Sequence, residues 1–156
     1  MSLLRFSRSL SSLLLLLPLM LQIGCAKTSI AGVSGGPAVE SATLSIGDQR
    51  FRFDACSSGD LQQFLGVDLV DRQGGAGVRV VIDPLDGPRV RIVYGTGQGR
   101  QRVDLTPARC RQLEADVRPT NWMVNDVRDV SGFVDAECAG DPGPAISLHA
   151  RFSHCH

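Results

Sequence analysis

The sequence predicts an all-β domain, mainly antiparallel, folded as a β-sandwich or a partly open barrel and stapled by disulfides. Three observations support this prediction. Apolar and polar residues alternate along many short runs, glycine and proline separate these runs, and four cysteines lie beyond the N-terminal segment. Strands with one buried face show this period of two, and short strands joined by turns are typical of sandwiches and barrels.

The first residues are typical of an export signal. Arg5 and Arg8 precede an apolar run from Leu10 to Ile23, and no acidic residue occurs before Glu40. A basic start, a short apolar core and small residues after it describe a signal peptide. The run is also shorter than the roughly 20 apolar residues that a spanning helix needs. We therefore expect residues 1–24 to be a signal peptide.

Cys25 follows Gly24 directly after this run, as in the bacterial lipobox, where the cysteine is acylated (diacylglycerol and a further chain such as palmitate) and becomes the new N-terminus. Gln22 stands where that motif has Leu, Val or Ile. The alternative is cleavage after Ala26 and plain secretion. We expect lipidation of Cys25 and a cell-envelope location. If the host is Gram-negative, we expect the outer membrane, because Ala rather than Asp follows the cysteine.

The rest of the chain suits one domain. Residues 25–42 are rich in small residues and predict a linker, and residues 43–156 predict the β domain. Without residues 1–24, acidic residues outnumber basic ones by two. This balance gives no electrostatic reason to expect a nucleic-acid partner.

Alternation defines the strands of the domain in chain order. The runs are TLSIGDQRFRFDAC around a Gly-Asp turn, FLGVDLVD, VRVVIDP, PRVRIVY, QLEADVR, SGFVDAEC and AISLHARF. The turn-rich segment DPLDGP predicts a hairpin between the third and fourth runs. The side chains expected on the inner face include Val67, Leu69, Val90, Ile92, Leu113, Ala115, Val117, Val134 and Ala136.

One segment also fits a helix. Thr106 and Pro107 are a possible N-cap and first helical residue, and Cys110, Leu113 and Val117 have helical spacing. We expect a short turn at Thr106–Arg109 followed by a strand. A short helix within residues 106–116 is the alternative.

The four downstream cysteines, Cys56, Cys110, Cys138 and Cys155, predict two disulfides. Their number is even and the context is exported. Zinc is the alternative, but zinc ligands usually come in close pairs, and none of these cysteines has CxxC spacing.

The chain resembles the LpqH-type lipoprotein antigens of mycobacteria over residues 25–138. The resemblance lies in the lipidated cysteine, the small-residue linker, a first strand ending in cysteine (SIGDQRFRFDAC), a glycine loop (YGTGQG) and a later strand ending in cysteine (SGFVDAEC). It implies a β-rich envelope lipoprotein without known enzyme activity.

The resemblance also implies that Cys56 pairs with Cys138, which leaves Cys110 for Cys155, and we take this pairing as the expectation. A hairpin centred near Val124 would instead put Cys110 opposite Cys138, with position 113 facing 135 and 117 facing 131. The sequence itself does not choose among the three possible pairings.

Several motifs contain residue types that can carry chemistry. The loop Gly95–Gly99 has the glycines of a phosphate loop, but we expect a turn between strands. His154 and His156 would share a face of a strand and are weak candidates for Zn or Cu, and we expect Cys155 to be oxidised. Carboxylate pairs such as Asp126 with Asp129 are expected to be solvated loop residues.

We expect no catalytic residues and no cofactor. Acyl transfer needs a converging serine, histidine and carboxylate, and the three histidines all lie within the last eight residues of the chain. Trp122 and Met123 are candidates for partner contact if exposed, but burial is the commoner fate of a lone tryptophan and is our expectation. The sequence thus favours a membrane-anchored module with a binding or structural role, which contacts the membrane and an envelope protein or ligand. The alternatives are a periplasmic or surface enzyme, or a metal-binding protein.

Overall fold

The computed structural model describes residues 38–140 and 143–156, which form ten strands and two single-turn 3₁₀ helices. The predicted signal peptide, Cys25 and most of the predicted linker lie outside the described residues. The strands are β1 (Ala38–Ile46), β2 (Gln49–Arg52), β3 (Ala55–Ser58), β4 (Gly66–Val70), β5 (Ala76–Asp83), β6 (Gly87–Thr96), β7 (Gly99–Leu105), β8 (Cys110–Val124), β9 (Val127–Cys138) and β10 (Ile146–Cys155). The 3₁₀ helices span Gly59–Gln62 and Pro107–Arg109.

The strands form two antiparallel sheets. The first sheet has the order β2-β1-β10-β9-β8, and the second has the order β3-β4-β5-β6-β7. β3 contacts β1, β10 and β9, so it runs across the direction of the strands in the first sheet. The all-β prediction is confirmed, as a disulfide-stapled sandwich rather than a closed barrel.

The core lies between the sheets and consists mainly of aliphatic side chains. The strands alternate as predicted, because one face of each sheet packs inward. Among the side chains expected inside, Leu113 and Ala115 are half-buried and the others are buried: Val67, Leu69, Val90, Ile92, Val117, Val134 and Ala136. The predicted hairpin at DPLDGP joins β5 to β6.

The first strand begins earlier than expected. β1 starts at Ala38, so residues 38–42 belong to the sheet and not to the linker that was predicted to end at residue 42. Backbone pairing with β10, from Ala38 opposite Ser153 onwards, holds this stretch in place. Because residues 38–42 are mostly small, they show no clear alternation of apolar and polar side chains, and the sequence does not reveal this part of the strand.

The segment that also fitted a helix is a turn followed by a strand. Pro107–Arg109 forms one 3₁₀ turn, as expected, and β8 begins at Cys110. The alternative, a helix of two to three turns within residues 106–116, was therefore wrong. β9 pairs with β8 along its length, which outweighs the helical spacing of a few apolar residues. β8 is an edge strand of the first sheet.

The disulfides join Cys56 to Cys155 and Cys110 to Cys138. The pairing implied by the resemblance was therefore wrong, and the one based on the β8–β9 hairpin is confirmed. The ladder itself is shifted by one residue, with Leu113 opposite Ala136 and Val117 opposite Gly132, because a bulge follows Cys110. The first disulfide connects the two sheets, and the second joins neighbouring strands.

The two disulfides should differ in their contribution to stability. They span sequence separations of 99 and 28 residues. Loop-closure entropy then predicts that the free energy of unfolding falls by about 4.7 kcal/mol in the Cys56→Ala/Cys155→Ala double variant. The predicted fall in Cys110→Ala/Cys138→Ala is about 3.6 kcal/mol. Denaturant unfolding of both variants measures this order, and an equal or reversed order would contradict it.

A tryptic map of the unreduced protein checks the pairing, since residues 53–72 must remain linked to 152–156.

Candidate functional site

One end of the first sheet gathers several chain features. β8 and β9 turn there at Asn125–Asp126, β10 ends there at Cys155, and β1 begins there at Ala38. We call this region the hairpin end. The last pair between β9 and β10 is Val130 with Cys155, so residues 127–129 extend the hairpin by about 10 Å beyond it.

Trp122 and Met123 are exposed on this hairpin. Their exposed fractions are 61% and 56%, so the expected burial of the tryptophan was wrong. Large apolar side chains left in water at neighbouring positions are a feature of interaction surfaces. The two candidate contact residues are therefore accessible.

The local sequence explains why the hairpin projects. Asn125 and Asp126 both have positive φ angles, 51° and 64°, and form a two-residue turn between Val124 and Val127. Positive φ at both central positions is the geometry of a type I′ hairpin turn, which asparagine and aspartate tolerate. The register also shifts between Pro119 and Met123, so the residues around Trp122 leave the regular ladder.

A buried carboxylate supports the displaced segment. Asp129 is only 1% exposed, and its Oδ2 accepts a hydrogen bond of 2.7 Å from Thr120 Oγ1. Thr120 Oγ1 in turn accepts the backbone N–H of Trp122 at 3.1 Å. His154 Nδ1 lies 3.3 Å from the same Asp129 oxygen, while Oδ1 has no hydrogen-bond partner among the described residues. The expectation that Asp129 is a solvated loop residue was wrong.

A groove lies beside the hairpin end. It has a volume of about 510 Å³ and is lined on one side by Phe64 and Leu65 and on the other by Pro119 and Val130. The backbone N–H of Arg128 donates to Asp60 Oδ2 at 2.9 Å, so the first 3₁₀ helix is fastened to the hairpin. The groove thus separates the loop before β4 from the β8–β9 hairpin.

A second cluster lies on the outer face of the first sheet. His149 Nδ1 lies 3.0 Å from Asp135 Oδ1, and His149 Nε2 lies 3.1 Å from both Glu137 Oε1 and Ser147 Oγ. β10 places Ser147 and His149 two residues apart on one face, and β9 places both carboxylates opposite them. The sequence-based search missed this convergence because it depends on strand pairing and not on a local motif.

The order Ser147, His149, Asp135 matches the atom order of an acyl-transfer triad. However, Ser147 Oγ donates to Glu137 Oε1 at 2.8 Å, which commits the hydroxyl hydrogen to that carboxylate. The side chain of His149 is also half exposed on the face of the sheet. Water competes for hydrogen bonds at such a surface, so this cluster lacks the dry environment that strengthens electrostatic catalysis.

Asp135 is held in its charged form. Partial burial by itself would raise the pKa of this carboxyl group, but hydrogen bonds from Arg151 and His149, with their charges, outweigh that effect and lower it. The guanidinium of Arg151 reaches both carboxylate oxygens, at 3.2 and 2.9 Å, and stacks over Phe133 with 4.8 Å between its central carbon and the ring centroid. The cluster is therefore an ion-pair network across β9 and β10.

The remaining candidates have simpler roles. Gly95–Gly99 contains a turn between β6 and β7, as expected, in which Thr96 Oγ1 donates to the carbonyl of Gly99 at 3.0 Å. Cys155 is oxidised, as expected. His154 has a φ of 53° at a strand irregularity, and within residues 38–140 and 143–156 no group of three His, Cys, Asp or Glu side chains is arranged to hold a metal ion.

No family model, curated protein or solved structure matches the chain. Within the part of the chain that the structure describes, no helix has the length and apolar character needed to cross a bilayer.

Asp135→Asn should destabilise the fold in a pH-dependent way. A carboxyl group whose pKa is lowered by folding stabilises the protein above its unfolded pKa, and this contribution is lost as the pH falls through the folded pKa. We expect the free energy of unfolding to fall by about 1 kcal/mol at pH 7, as for other partly exposed ion pairs. This difference between variant and parent should shrink as the pH falls below the ordinary Asp pKa of about 3.9. Urea unfolding at pH 7, 5 and 3 measures it, with Asp126→Asn in the exposed turn as the matched control. A difference that stays constant down to pH 3 would argue against the network.

Proposed function

We propose that this protein is a cell-envelope lipoprotein, anchored through an acylated Cys25, with a non-catalytic binding or structural role. The observation that carries the proposal is the use of cysteine. Four of the five cysteines pair with each other inside the sandwich. The fifth, Cys25, directly follows a signal-like apolar run, and two structural disulfides are typical of an exported domain.

The position of the first strand supports this proposal. β1 begins at Ala38, and residues 25–37 separate it from the candidate lipidation site. A chain extends by at most about 3.5 Å per residue, so an acyl group on Cys25 would hold the domain within about 45 Å of the membrane. The exposed pair Trp122 and Met123 supplies an accessible contact surface for the binding role.

The intact mass of protein purified from envelopes tests the anchor. We expect a chain starting at Cys25 with added acyl mass, which gains four alkyl groups only after reduction, because the other four cysteines are paired. The Cys25→Ala variant should lose the acyl mass and keep both disulfides. A chain starting at Lys27 without lipid, or thiols that react before reduction, would refute the proposal.

The second candidate function is a surface hydrolase, favoured only by the Ser147–His149–Asp135 arrangement. If Nδ1–H of His149 donates to Asp135, the imidazole Nε2 can accept the hydroxyl proton while Ser147 Oγ bonds to the acyl carbon of an ester. The alcohol of the ester then leaves with that proton, and water hydrolyses the acyl-serine. Glu137 competes for that proton, since it accepts the same hydroxyl hydrogen.

Hydrolysis of a p-nitrophenyl acyl ester distinguishes the two candidates. The non-catalytic proposal predicts no saturable turnover above that of the Ser147→Ala variant, with Ser153→Ala as the control for a neighbouring serine of β10. Saturable turnover that disappears in Ser147→Ala and in His149→Ala, and survives in Ser153→Ala, would establish the hydrolase instead.

A further inference from the structure

The membrane tether and the exposed tryptophan belong to the same end of the domain. β1 starts at Ala38, which is paired with Ser153, and β10 ends two residues later at Cys155. Cys155 pairs with Val130, and the β8–β9 hairpin continues beyond that row to its turn. The chain that comes from Cys25 therefore enters the sandwich at the hairpin end.

We propose that the hairpin end rests on the surface of the phospholipid bilayer that holds the Cys25 lipid, with Trp122 and Met123 entering the headgroup region. This inference depends on the proposed anchoring and adds a second, non-covalent contact to it. The bilayer is the occupant because residues 25–37, which span at most about 45 Å, join the Cys25 lipid to this end of the domain and keep it within reach of that surface.

The exposed side chains suit such a contact. Tryptophan is enriched at membrane–water interfaces because its indole ring is apolar and carries one N–H donor. Trp122 and Met123 are both exposed, and Leu61, 65% exposed, lies in the 3₁₀ helix that is joined to the hairpin by the hydrogen bond from Arg128 N–H to Asp60. Three exposed apolar side chains thus lie on the hairpin or on the 3₁₀ helix bonded to it.

The charges at this end favour no particular lipid headgroup. Asp60, Asp126 and Asp129 lie at this end together with Arg128, so it has no excess of basic side chains that would select anionic lipids. The contact should therefore form on zwitterionic phosphatidylcholine and change little with salt, unlike the binding of a polybasic surface. A weak apolar contact is sufficient here, because the tether raises the local concentration of the hairpin at the bilayer.

Trp122 is the only tryptophan of the chain, so its fluorescence reports on this site alone. The full lipidated protein is reconstituted in phosphatidylcholine vesicles, with and without bromine on the acyl chains. Co-flotation with the vesicles checks the anchor independently of the fluorescence. Bromine quenches an indole at the bilayer, and acrylamide quenches one that remains in water.

The matched control moves the probe to the opposite end of the first sheet. The Trp122→Phe/Asp48→Trp variant carries its tryptophan in the exposed turn between β1 and β2. We expect acrylamide quenching of Trp122 to be roughly two-fold weaker than that of the control, since a ring now 61% exposed would lose most of its contact with water. Brominated lipid should quench Trp122 and leave the control unchanged.

The outcomes separate the two proposals. If the protein does not float with the vesicles, the anchor fails, and this inference fails with it. If it floats while Trp122 is quenched by acrylamide as strongly as the control and is insensitive to bromine, the anchor stands and the bilayer contact is refuted. Protection from acrylamide without quenching by bromine would also refute it, in favour of a protein covering the hairpin. The comparison of brominated with plain vesicles needs no variant, so a folding defect in the control cannot obscure it.

Discussion

The Cys56–Cys155 disulfide is the constraint on which the arrangement of the two sheets depends. β3 is a four-residue edge strand that pairs only with β4, yet it crosses three strands of the other sheet. The core between the sheets is built largely from valine, leucine, isoleucine and alanine, and each such side chain contributes only modestly when it is buried. A buried covalent bond at the crossing fixes the relative position of β3 and β10, which side-chain packing would hold less firmly.

The effect of that bond extends to the hairpin end. Cys155 is preceded by His154, whose positive φ turns the imidazole towards the buried Asp129. Asp129 accepts a hydrogen bond from the hydroxyl of Thr120, and the oxygen of that hydroxyl accepts one from the backbone N–H of Trp122. The geometry fixed by the disulfide is therefore connected to the residues that face solvent through the contact between His154 and Asp129 and two hydrogen bonds. The exposed tryptophan is carried by a supported segment rather than by a free loop.

The sequence predicts the strands well because alternation is a local signal. Val90 and Ile92, or Val134 and Ala136, reveal their buried face without any knowledge of their partners. The sheet crossing and the disulfide partners depend on contacts between distant residues, so the resemblance misled the assignment of Cys56. Trp122 was expected inside because most lone tryptophans are. The Asn125–Asp126 pair, flanked by valines, was the signal that could have placed it next to a hairpin turn. The convergence of Ser147, His149 and Asp135 needs the register of β9 with β10, which no motif encodes.

The edge position of β8 affects how readily copies of the protein can pair with one another. A long edge strand offers unpaired backbone groups to neighbouring copies. β8 carries Glu114, Asp116 and Arg118 along this edge, and Pro119 removes one backbone donor where the ladder is already irregular. These features oppose the addition of a strand from an adjacent copy. The edge that ends in the exposed hairpin thus disfavours edge-to-edge pairing between copies.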